Sequence, residues 1–206
     1  MFTDRTEAGE RLAAHLQERG VSADVVLAIP RGGLPVARPV ADALDARLSV
    51  VVARKLGAPG NPELAIGAVA ADGSVWYNDD LVARLGVDDE YLERIVEQER
   101  TAAAEKLARY PAGEHDLDGR RVLVVDDGVA TGATTRACLR QVRATDAAWV
   151  GLAVPVGPPD SLAELETEAD DVYALETPRS FGAVGAHYRN FSQVTDEEAI
   201  EYLERE

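Results

Sequence analysis

The segment from Val122 to Thr134 constrains the fold of this chain more than any other. It begins with four aliphatic residues, continues through the adjacent carboxylates Asp126 and Asp127, and then enters a loop of small residues. An uninterrupted aliphatic run is typical of a strand buried on both faces of a parallel sheet. A strand that leads through a loop into a helix is the repeating unit of α/β proteins. The segment therefore predicts an α/β chain with a polar site at a strand end.

The loop that follows the two carboxylates predicts a phosphate-binding site. Small side chains let several backbone N–H groups converge on one phosphate, and the N-terminus of the following helix favours its negative charge. Asp126 and Asp127 would lie about one sugar ring away, where carboxylates accept hydrogen bonds from vicinal hydroxyls. These features together indicate a phosphosugar site. Its candidate phosphate ligands are Ala130, Thr131, Gly132, Ala133 and Thr134.

Other classes of protein also end a strand in carboxylates. A two-component receiver domain would place this strand near its N-terminus and would lack the Ala-Thr-Gly-Ala-Thr sequence that follows it here. Neither the Gly-Lys-Ser/Thr spacing of mononucleotide loops nor the Gly-x-Gly-x-x-Gly pattern of dinucleotide loops occurs in the chain. An ordinary strand-to-helix turn without a ligand is the remaining alternative.

Residues 122–134 resemble the 13-residue signature of type I phosphoribosyltransferases, with four apolar residues, two acidic residues and a small Thr/Gly-rich loop. Members of that family bind 5-phosphoribosyl-1-diphosphate (PRPP) and exchange its diphosphate for a nitrogen nucleophile. The resemblance implies that the loop at 130–134 holds the 5′-phosphate and that Asp126 and Asp127 face the ribose 2′ and 3′ hydroxyls. It also implies Mg²⁺ as the cofactor, bound to these two carboxylates directly or through water.

A second segment, Ile29-Pro-Arg-Gly-Gly33, also follows an aliphatic stretch and starts a helix. Gly32 and Gly33 permit close backbone approach, and Arg31 offers a forked donor for anionic oxygens. The pattern is common by itself, but beside the first segment it resembles the family's diphosphate loop. That resemblance implies PRPP contacts for all three residues, a catalytic contribution from Arg31, and a cis peptide between Pro30 and Arg31.

A Gly/Pro-rich stretch from Arg54 to Leu64 is predicted to be a loop between a strand and a hairpin. The family has a mobile lid at this place that closes over PRPP, which implies a lid over about residues 54–78. Arg54 and Lys55 are predicted to bind the diphosphate, Lys55 with a catalytic contribution, although a plain surface cation is the alternative for Lys55. Glu63 is a candidate general base or acid, as a lid glutamate is in the adenine-type enzymes.

The acceptor is left open by the sequence. Ala130 stands where enzymes for hypoxanthine and guanine usually carry an acidic base, and is closer to the adenine-type loop. Within a predicted C-terminal hood over about 177–206, the segment 181–193 faintly resembles the lid over the base in purine enzymes. Across its length the chain resembles a little-characterised group of phosphoribosyltransferases whose acceptor is not established. Candidate base-binding residues are Phe181, Tyr188, Arg189 and Asn190, with packing onto the sheet as the alternative.

Alternating apolar segments predict a mainly parallel, doubly wound sheet with a small lid and hood, within one domain spanning 1–206. Helices are expected at 5–19, 34–44, 88–110, 134–143 and 161–168. Strands are expected at 25–29, 48–53, 122–125, 148–154 and 171–175, with a hairpin at 65–77 that turns at Asp72-Gly73.

Composition limits the setting and the partners. A net charge of −16 repels phosphate backbones, so no nucleic-acid partner is expected. The same acidic excess suggests either a salt-adapted, halophilic source or an acidic mesophile. No apolar run approaches the roughly 20 residues that span a bilayer, so no membrane partner is expected. No signal peptide is visible and Cys138 is the single cysteine, which favours a reducing cytoplasm. The three histidines, His15, His115 and His187, are dispersed and suggest no zinc site.

Two classes of function remain open. The first is an enzyme that transfers the phosphoribosyl group from PRPP to a nitrogen acceptor, most simply a nucleobase. The second is a regulator that binds PRPP or a nucleotide without turnover, as several members of this fold do. The resemblance also implies a possible homodimer, although no surface in the sequence identifies an interface.

Overall fold

The computed structural model describes residues 1–111 and 116–204, so His115 lies outside the described residues. The strands are β1 (Val25–Ala28), β2 (Arg47–Val50), β3 (Ala53–Ala58), β4 (Asn61–Ala70), β5 (Val75–Tyr77), β6 (Arg121–Val125), β7 (Trp149–Val156) and β8 (Asp171–Glu176). The helices are α1 (Arg5–Glu18), α2 (Gly33–Leu44), α3 (Asp79–Leu85), α4 (Asp89–Leu107), α5 (Ala133–Arg143), α6 (Pro159–Leu165) and α7 (Asp196–Glu204), and a 3-10 turn spans Val184–His187.

The central sheet has five parallel strands in the order β2-β1-β6-β7-β8. β1 pairs with both β2 and β6, so that Ala28 lies between Val50 and Val125. The direction of winding reverses between β1 and β6, and ligands bind beside the carboxyl ends of strands at such a switch point. The loops after β1 and β6 therefore meet at one edge of the sheet.

Both faces of the sheet are covered, as the aliphatic strands require. Val25 and Leu27 of β1 pack into a core beneath α5, whereas the alternate residues Val26 and Ala28 pack against α1 and α2. Residues of β6 divide between the two faces in the same way. The predicted α/β fold with a doubly wound parallel sheet is confirmed. Cys138 is fully buried in the first of these cores, as its packing interpretation predicted.

A second sheet corrects the prediction for residues 48–64. The predicted strand at 48–53 is two strands, since β2 ends at Val50 and β3 begins at Ala53 in a separate antiparallel sheet, ordered β3-β4-β5. The predicted loop at 54–64 is most of a hairpin whose turn contains Gly60 at φ +74°. Gly57 lies so close to the facing strand that a Cβ on it would be 2.8 Å from Pro62 Cα. These Gly and Pro residues therefore serve strand approach and a tight turn. The second hairpin, at Asp72-Gly73, is as predicted.

Two short helices were missed, and the long helix is shorter than predicted because α4 ends at Leu107. α3 is capped by Asn78, whose side chain accepts a hydrogen bond from the Leu81 N–H at 3.1 Å. α7 starts with a capping box, in which Thr195 and Glu198 exchange backbone-to-side-chain hydrogen bonds of 2.8 and 3.1 Å. That spacing was a readable signal for α7. Within residues 1–111 and 116–204, no helix combines the length and apolar character needed to cross a membrane.

The crossing of α1 over α2 gives a test of the fold. Gly9 faces Val36, and a Cβ on Gly9 would lie 2.9 Å from Val36 Cα. Gly9→Ala gains about 1 kcal/mol in helix propensity but forces two backbones apart, so we expect a net loss of about 2 kcal/mol in the free energy of unfolding. Urea denaturation measures it. Glu10→Ala, at an exposed position of the same helix, should change stability by less than about 0.5 kcal/mol. Equal stability of the two variants would contradict the close crossing.

Candidate functional site

The loop between β6 and α5 has the geometry expected of an anion site. Gly132 adopts φ +76°, which turns the chain into α5 at Ala133. Thr131 is exposed and Thr134 is half-buried at the first turn of this 11-residue helix. The free backbone N–H groups of a helix N-terminus and nearby hydroxyls are donors suited to a phosphate. The five predicted phosphate ligands therefore lie together in one turn.

The predicted diphosphate loop lies directly against the carboxylates. A Cβ on Gly33 would be 2.8 Å from the Val125 carbonyl oxygen, and a Cβ on Gly32 would be 2.8 Å from Asp127 Cγ. The two glycines thus leave no space for a side chain between the loop and the end of β6. The Pro30–Arg31 peptide is cis, as the resemblance to the family's diphosphate loop implied.

The surroundings of Asp126 and Asp127 disfavour the ionised form of both carboxylates. Burial, and then the charge of Asp127, raise the pKa of Asp126 well above its ordinary value. Burial also raises the pKa of Asp127, although an ion pair with Arg5, 2.7 Å from Nε to Oδ2, opposes that rise. Asp126 Oδ1 accepts a hydrogen bond of 2.8 Å from the Asp127 N–H. Groups that donate to or carry positive charge near these oxygens would stabilise the ionised pair.

Arg5 is a site residue that the sequence reasoning missed. Besides Asp127 it donates to the Ser192 carbonyl at 2.8 Å, and its guanidinium lies 3.7 Å from the centre of the Phe191 ring. It therefore ties the start of α1 to the carboxylates and to the C-terminal segment. Nothing in the local sequence around Arg5 signals this role, because its partners are over 120 residues away.

A cleft of about 260 Å³ opens between the diphosphate loop, the hairpin sheet and α5. Arg54 and Lys55 of β3 are exposed there, and they are held by Glu99 at 2.8 Å and Glu63 at 2.9 Å respectively. Residues from all three predicted PRPP segments thus meet at one cleft. Its lining residues are Ile29, Pro30, Val52, Ala53, Arg54, Lys55, Lys106 and Thr134. Lys106, from the end of α4, was not predicted as a site residue.

Arg31 extends from the diphosphate loop toward the C-terminal helix. Its Nη1 lies 3.5 Å from Asp196 Oδ1, at the start of α7. Asp196 also contacts Arg109 at 3.4 Å and the Tyr110 hydroxyl at 3.5 Å, and burial followed by the Asp196 charge raises the pKa of Tyr110 to about 12. The missed helix α7 thus supplies the acidic partner of a predicted PRPP ligand.

The four predicted base-binding residues have different surroundings. Tyr188 is 6% exposed, its ring lies between Phe2 and Phe191 at 5.3 and 5.0 Å, and its hydroxyl donates to the Asp127 carbonyl at 2.6 Å. This arrangement favours the packing alternative for Tyr188. Phe181 stacks on His187 at 5.2 Å. Arg189 and Asn190 have exposed side chains, and their backbone N–H groups donate to Phe2 and Thr3 carbonyls. Base binding by these three residues remains a prediction.

The two carboxylates suit Mg²⁺ better than a metal ion that needs three or more side-chain ligands. In residues 1–111 and 116–204, no group of three or more His, Cys, Asp or Glu side chains is placed to hold a metal ion. Mg²⁺ prefers oxygen ligands and is commonly held by one or two carboxylates together with substrate phosphates and water. Asp126 and Asp127 offer that donor set, and a dication would offset the cost of burying two adjacent carboxylates.

A family comparison agrees with this geometry. The model of the phosphoribosyl transferase domain matches residues 3–188, a span that includes both loops, the carboxylates and the cleft. The chain belongs to the phosphoribosyltransferase family. The resemblance of residues 122–134 to the family signature is thereby confirmed, and the receiver-domain alternative is excluded.

Relatives of this chain come from several bacteria. A Mycobacterium tuberculosis (strain H37Rv) protein named "Putative phosphoribosyl transferase" is 44% identical over 207 residues, which cover 100% of this chain and 47% of the relative. All of this chain is matched, but it spans only about half the length of this Mycobacterium tuberculosis relative. The adenine phosphoribosyltransferase of Rhodococcus opacus is 54% identical over 44 residues, 21% of this chain and 25% of that protein. TT1426 from Thermus thermophilus is 42% identical in sequence, and its crystal structure superposes with a TM-score of 0.81. The match covers 98% of this chain and 97% of TT1426.

Proposed function

We propose that this phosphoribosyltransferase transfers the phosphoribosyl group of PRPP to a nitrogen atom of a small acceptor and releases diphosphate. A nucleobase is the first acceptor class to test. The observation that carries the proposal is the meeting of the three predicted PRPP segments at one sheet edge. A Cβ on Gly32 would overlap the Asp127 carboxylate, while Pro30, Lys55 and Thr134 line one cleft. A phosphate, a diol and a diphosphate could each meet a suited partner there.

Each element has a distinct task in the proposed reaction. The 130–134 loop would hold the 5′-phosphate at the N-terminus of α5, and Asp126 and Asp127 would accept hydrogen bonds from the ribose hydroxyls. Arg31, Arg54 and Lys55 would stabilise the charge that develops on departing diphosphate. The hairpin sheet, as the proposed lid, would exclude water from an oxocarbenium-like transition state.

Mg²⁺ is the proposed cofactor, with Asp126 and Asp127 as its protein ligands, directly or through water. When bound it would supply positive charge to the diphosphate and so assist its departure. The protein's own part is to orient the sugar between the phosphate loop and the carboxylates, which is worth several kcal/mol when the reacting atoms are held in line.

The deciding experiment incubates the protein with PRPP, Mg²⁺ and separate nucleobases, and measures diphosphate and nucleotide. Transfer predicts equal amounts of both products with one acceptor. Binding of PRPP without product from any base would support the alternative, a PRPP or nucleotide sensor. Diphosphate released without an acceptor would indicate hydrolysis of PRPP. Asp126→Asn provides a control for contaminating activity. Since this chain covers 47% of the Mycobacterium tuberculosis relative, that full-length relative should be assayed beside it.

Glu63 is the proposed general base or acid, and the structure permits a clean test. Its side chain is 87% exposed and contacts Lys55 across the hairpin, so the ion pair contributes at most about 1 kcal/mol. Glu63→Gln should leave the melting temperature unchanged but lower kcat roughly 100-fold with the preferred acceptor. Glu97→Gln, an exposed ion-paired residue of α4, is the matched control. Unchanged kcat in Glu63→Gln would remove Glu63 from the chemistry.

A further inference from the structure

Lys106 is a cation that reaches the candidate site from outside every predicted PRPP segment. It lies near the end of α4, and its Nζ donates a hydrogen bond of 2.7 Å to the Pro30 carbonyl. That carbonyl belongs to the cis peptide of the diphosphate loop. Lys106 therefore joins α4 to the loop that carries Arg31 and Gly32.

The ammonium group of Lys106 has N–H donors that the Pro30 carbonyl does not use. A lysine side chain carries three N–H groups, of which the Pro30 carbonyl takes one. No carboxylate of residues 1–111 or 116–204 forms an ion pair with Lys106, whereas Arg54 and Lys55 each have a glutamate partner. The remaining donors lie beside a cleft that is also lined by Lys55 and Thr134.

The surroundings of Lys106 favour an anion. Burial lowers the pKa of Lys106, and the neighbouring Arg54 and Arg31 charges lower it further. The Asp126 charge opposes this lowering, and Arg54 and Arg31 are themselves paired with Glu99 and Asp196. Lys106 therefore has like charges nearby without an ion-paired carboxylate of its own among the described residues, and an anionic ligand would stabilise its charged form.

The distribution of lysine along the chain points to the same cleft. The sequence has 21 basic residues, of which two are lysines, Lys55 and Lys106. They are 51 positions apart on different elements, and both line this cleft. A compact ammonium reaches a phosphate oxygen as a point charge, without the planar geometry that a guanidinium imposes.

We propose that Lys106 binds the diphosphate group of PRPP and so selects a sugar diphosphate over a sugar that bears the 5′-phosphate alone. The assignment rests on the proposed function. Lys106 would hold a diphosphate oxygen while its bond to Pro30 keeps the loop in place. It has no role at the 5′-phosphate, which the 130–134 loop would bind. Lys106 is therefore a specificity-determining residue for the donor substrate.

Titration calorimetry with Mg²⁺ and PRPP, diphosphate or ribose 5-phosphate tests this assignment. Lys106→Gln removes the charge but leaves a neutral N–H donor on a slightly shorter side chain. We expect affinity for PRPP and diphosphate to fall roughly 10- to 100-fold, as for a lost charged hydrogen bond. Affinity for ribose 5-phosphate should change less than about 3-fold. Lys106→Arg should recover part of the PRPP affinity, because it restores the positive charge but not the compact shape of the ammonium.

Arg100→Met is the matched control, because Arg100 lies on the same helix and is exposed and paired with Glu97. It should bind all three ligands as the wild type does. Equal PRPP affinity in wild type and Lys106→Gln would overturn the assignment, and so would a parallel loss for ribose 5-phosphate. A wild-type protein that binds no PRPP would instead overturn the proposed function, and the assignment with it. Thermal unfolding of each variant verifies that the fold is retained.

Discussion

Gly32→Ala is expected to weaken PRPP binding roughly 100-fold while the protein remains folded. Gly32 adopts φ −60° and ψ −31°, a right-handed conformation that alanine takes without strain. The new methyl group, however, would occupy the position of the Asp127 carboxylate. Asp127 would have to turn away, and its 2.7 Å ion pair with Arg5 would break or stretch. A displacement of about 1 Å in a group that orients the substrate can cost roughly 100-fold.

Calorimetric titration with PRPP and Mg²⁺ measures this effect, and circular dichroism checks the fold. Gly182→Ala is the matched control, since a Cβ at Gly182 would have no atom within 4 Å. It should bind PRPP within about 2-fold of the wild type, as a substitution into open space should. If Gly32→Ala binds PRPP as tightly as Gly182→Ala does, the ribose does not depend on the position of Asp127.

The segments that could be predicted from sequence are those whose signal is local. The aliphatic run before Asp126 must be buried on both sides, which fixes a parallel strand and places the carboxylates at its end. The Gly32–Gly33 pair follows the neighbouring strand, and the register of Ala28 opposite Val125 brings the two loops together. Knowledge of the fold class was sufficient to place them at one edge.

The site residues that were missed are those whose role comes from tertiary contacts. Arg5 and Asp127 are separated by 122 positions, and Lys106 and Pro30 by 76. A lone basic residue on a helix is usually a solvated surface residue, so the sequence did not single out Arg5. For Lys106 the available signal was the scarcity of lysine, because Lys55 and Lys106 are the two lysines among 21 basic residues. Asp196 was missed because α7 was missed, although its capping box was visible in the sequence.

The error in the hairpin sheet has a different cause. Gly and Pro between Gly57 and Pro62 predicted a loop because both residues are poor strand formers on average. In the folded chain Gly57 is buried against Pro62, and the turn between them is two residues long, since Ala58 pairs with Asn61. Tertiary packing, which composition does not report, decides between a loop and a strand pair here.

Asp126→Asn is expected to stabilise the free protein and to remove its activity. In the absence of ligand, burial and the neighbouring Asp127 charge both disfavour the ionised form of Asp126, and together they raise its pKa. Asparagine has almost the same shape without the charge, and its Oδ1 can still accept the Asp127 N–H. Replacement of a buried charge by a neutral group of equal size often gains about 1 kcal/mol or more in the free energy of unfolding.

The same Asp126→Asn substitution should lower the catalytic activity while it raises stability. A neutral amide binds Mg²⁺ and a ribose hydroxyl more weakly than a carboxylate does, so kcat/KM for PRPP should fall at least about 100-fold. Asp146→Asn, an exposed position, controls for the general relief of charge in a chain with a net charge of −16. Urea denaturation without ligand and a diphosphate-release assay give the two readouts. Asp126→Asn should have a higher free energy of unfolding than Asp146→Asn. Asp146→Asn should release diphosphate as the wild type does, whereas Asp126→Asn should not. A variant that loses stability, or one that keeps its turnover, would mean that the Asp126 charge is held for the fold rather than for the substrate.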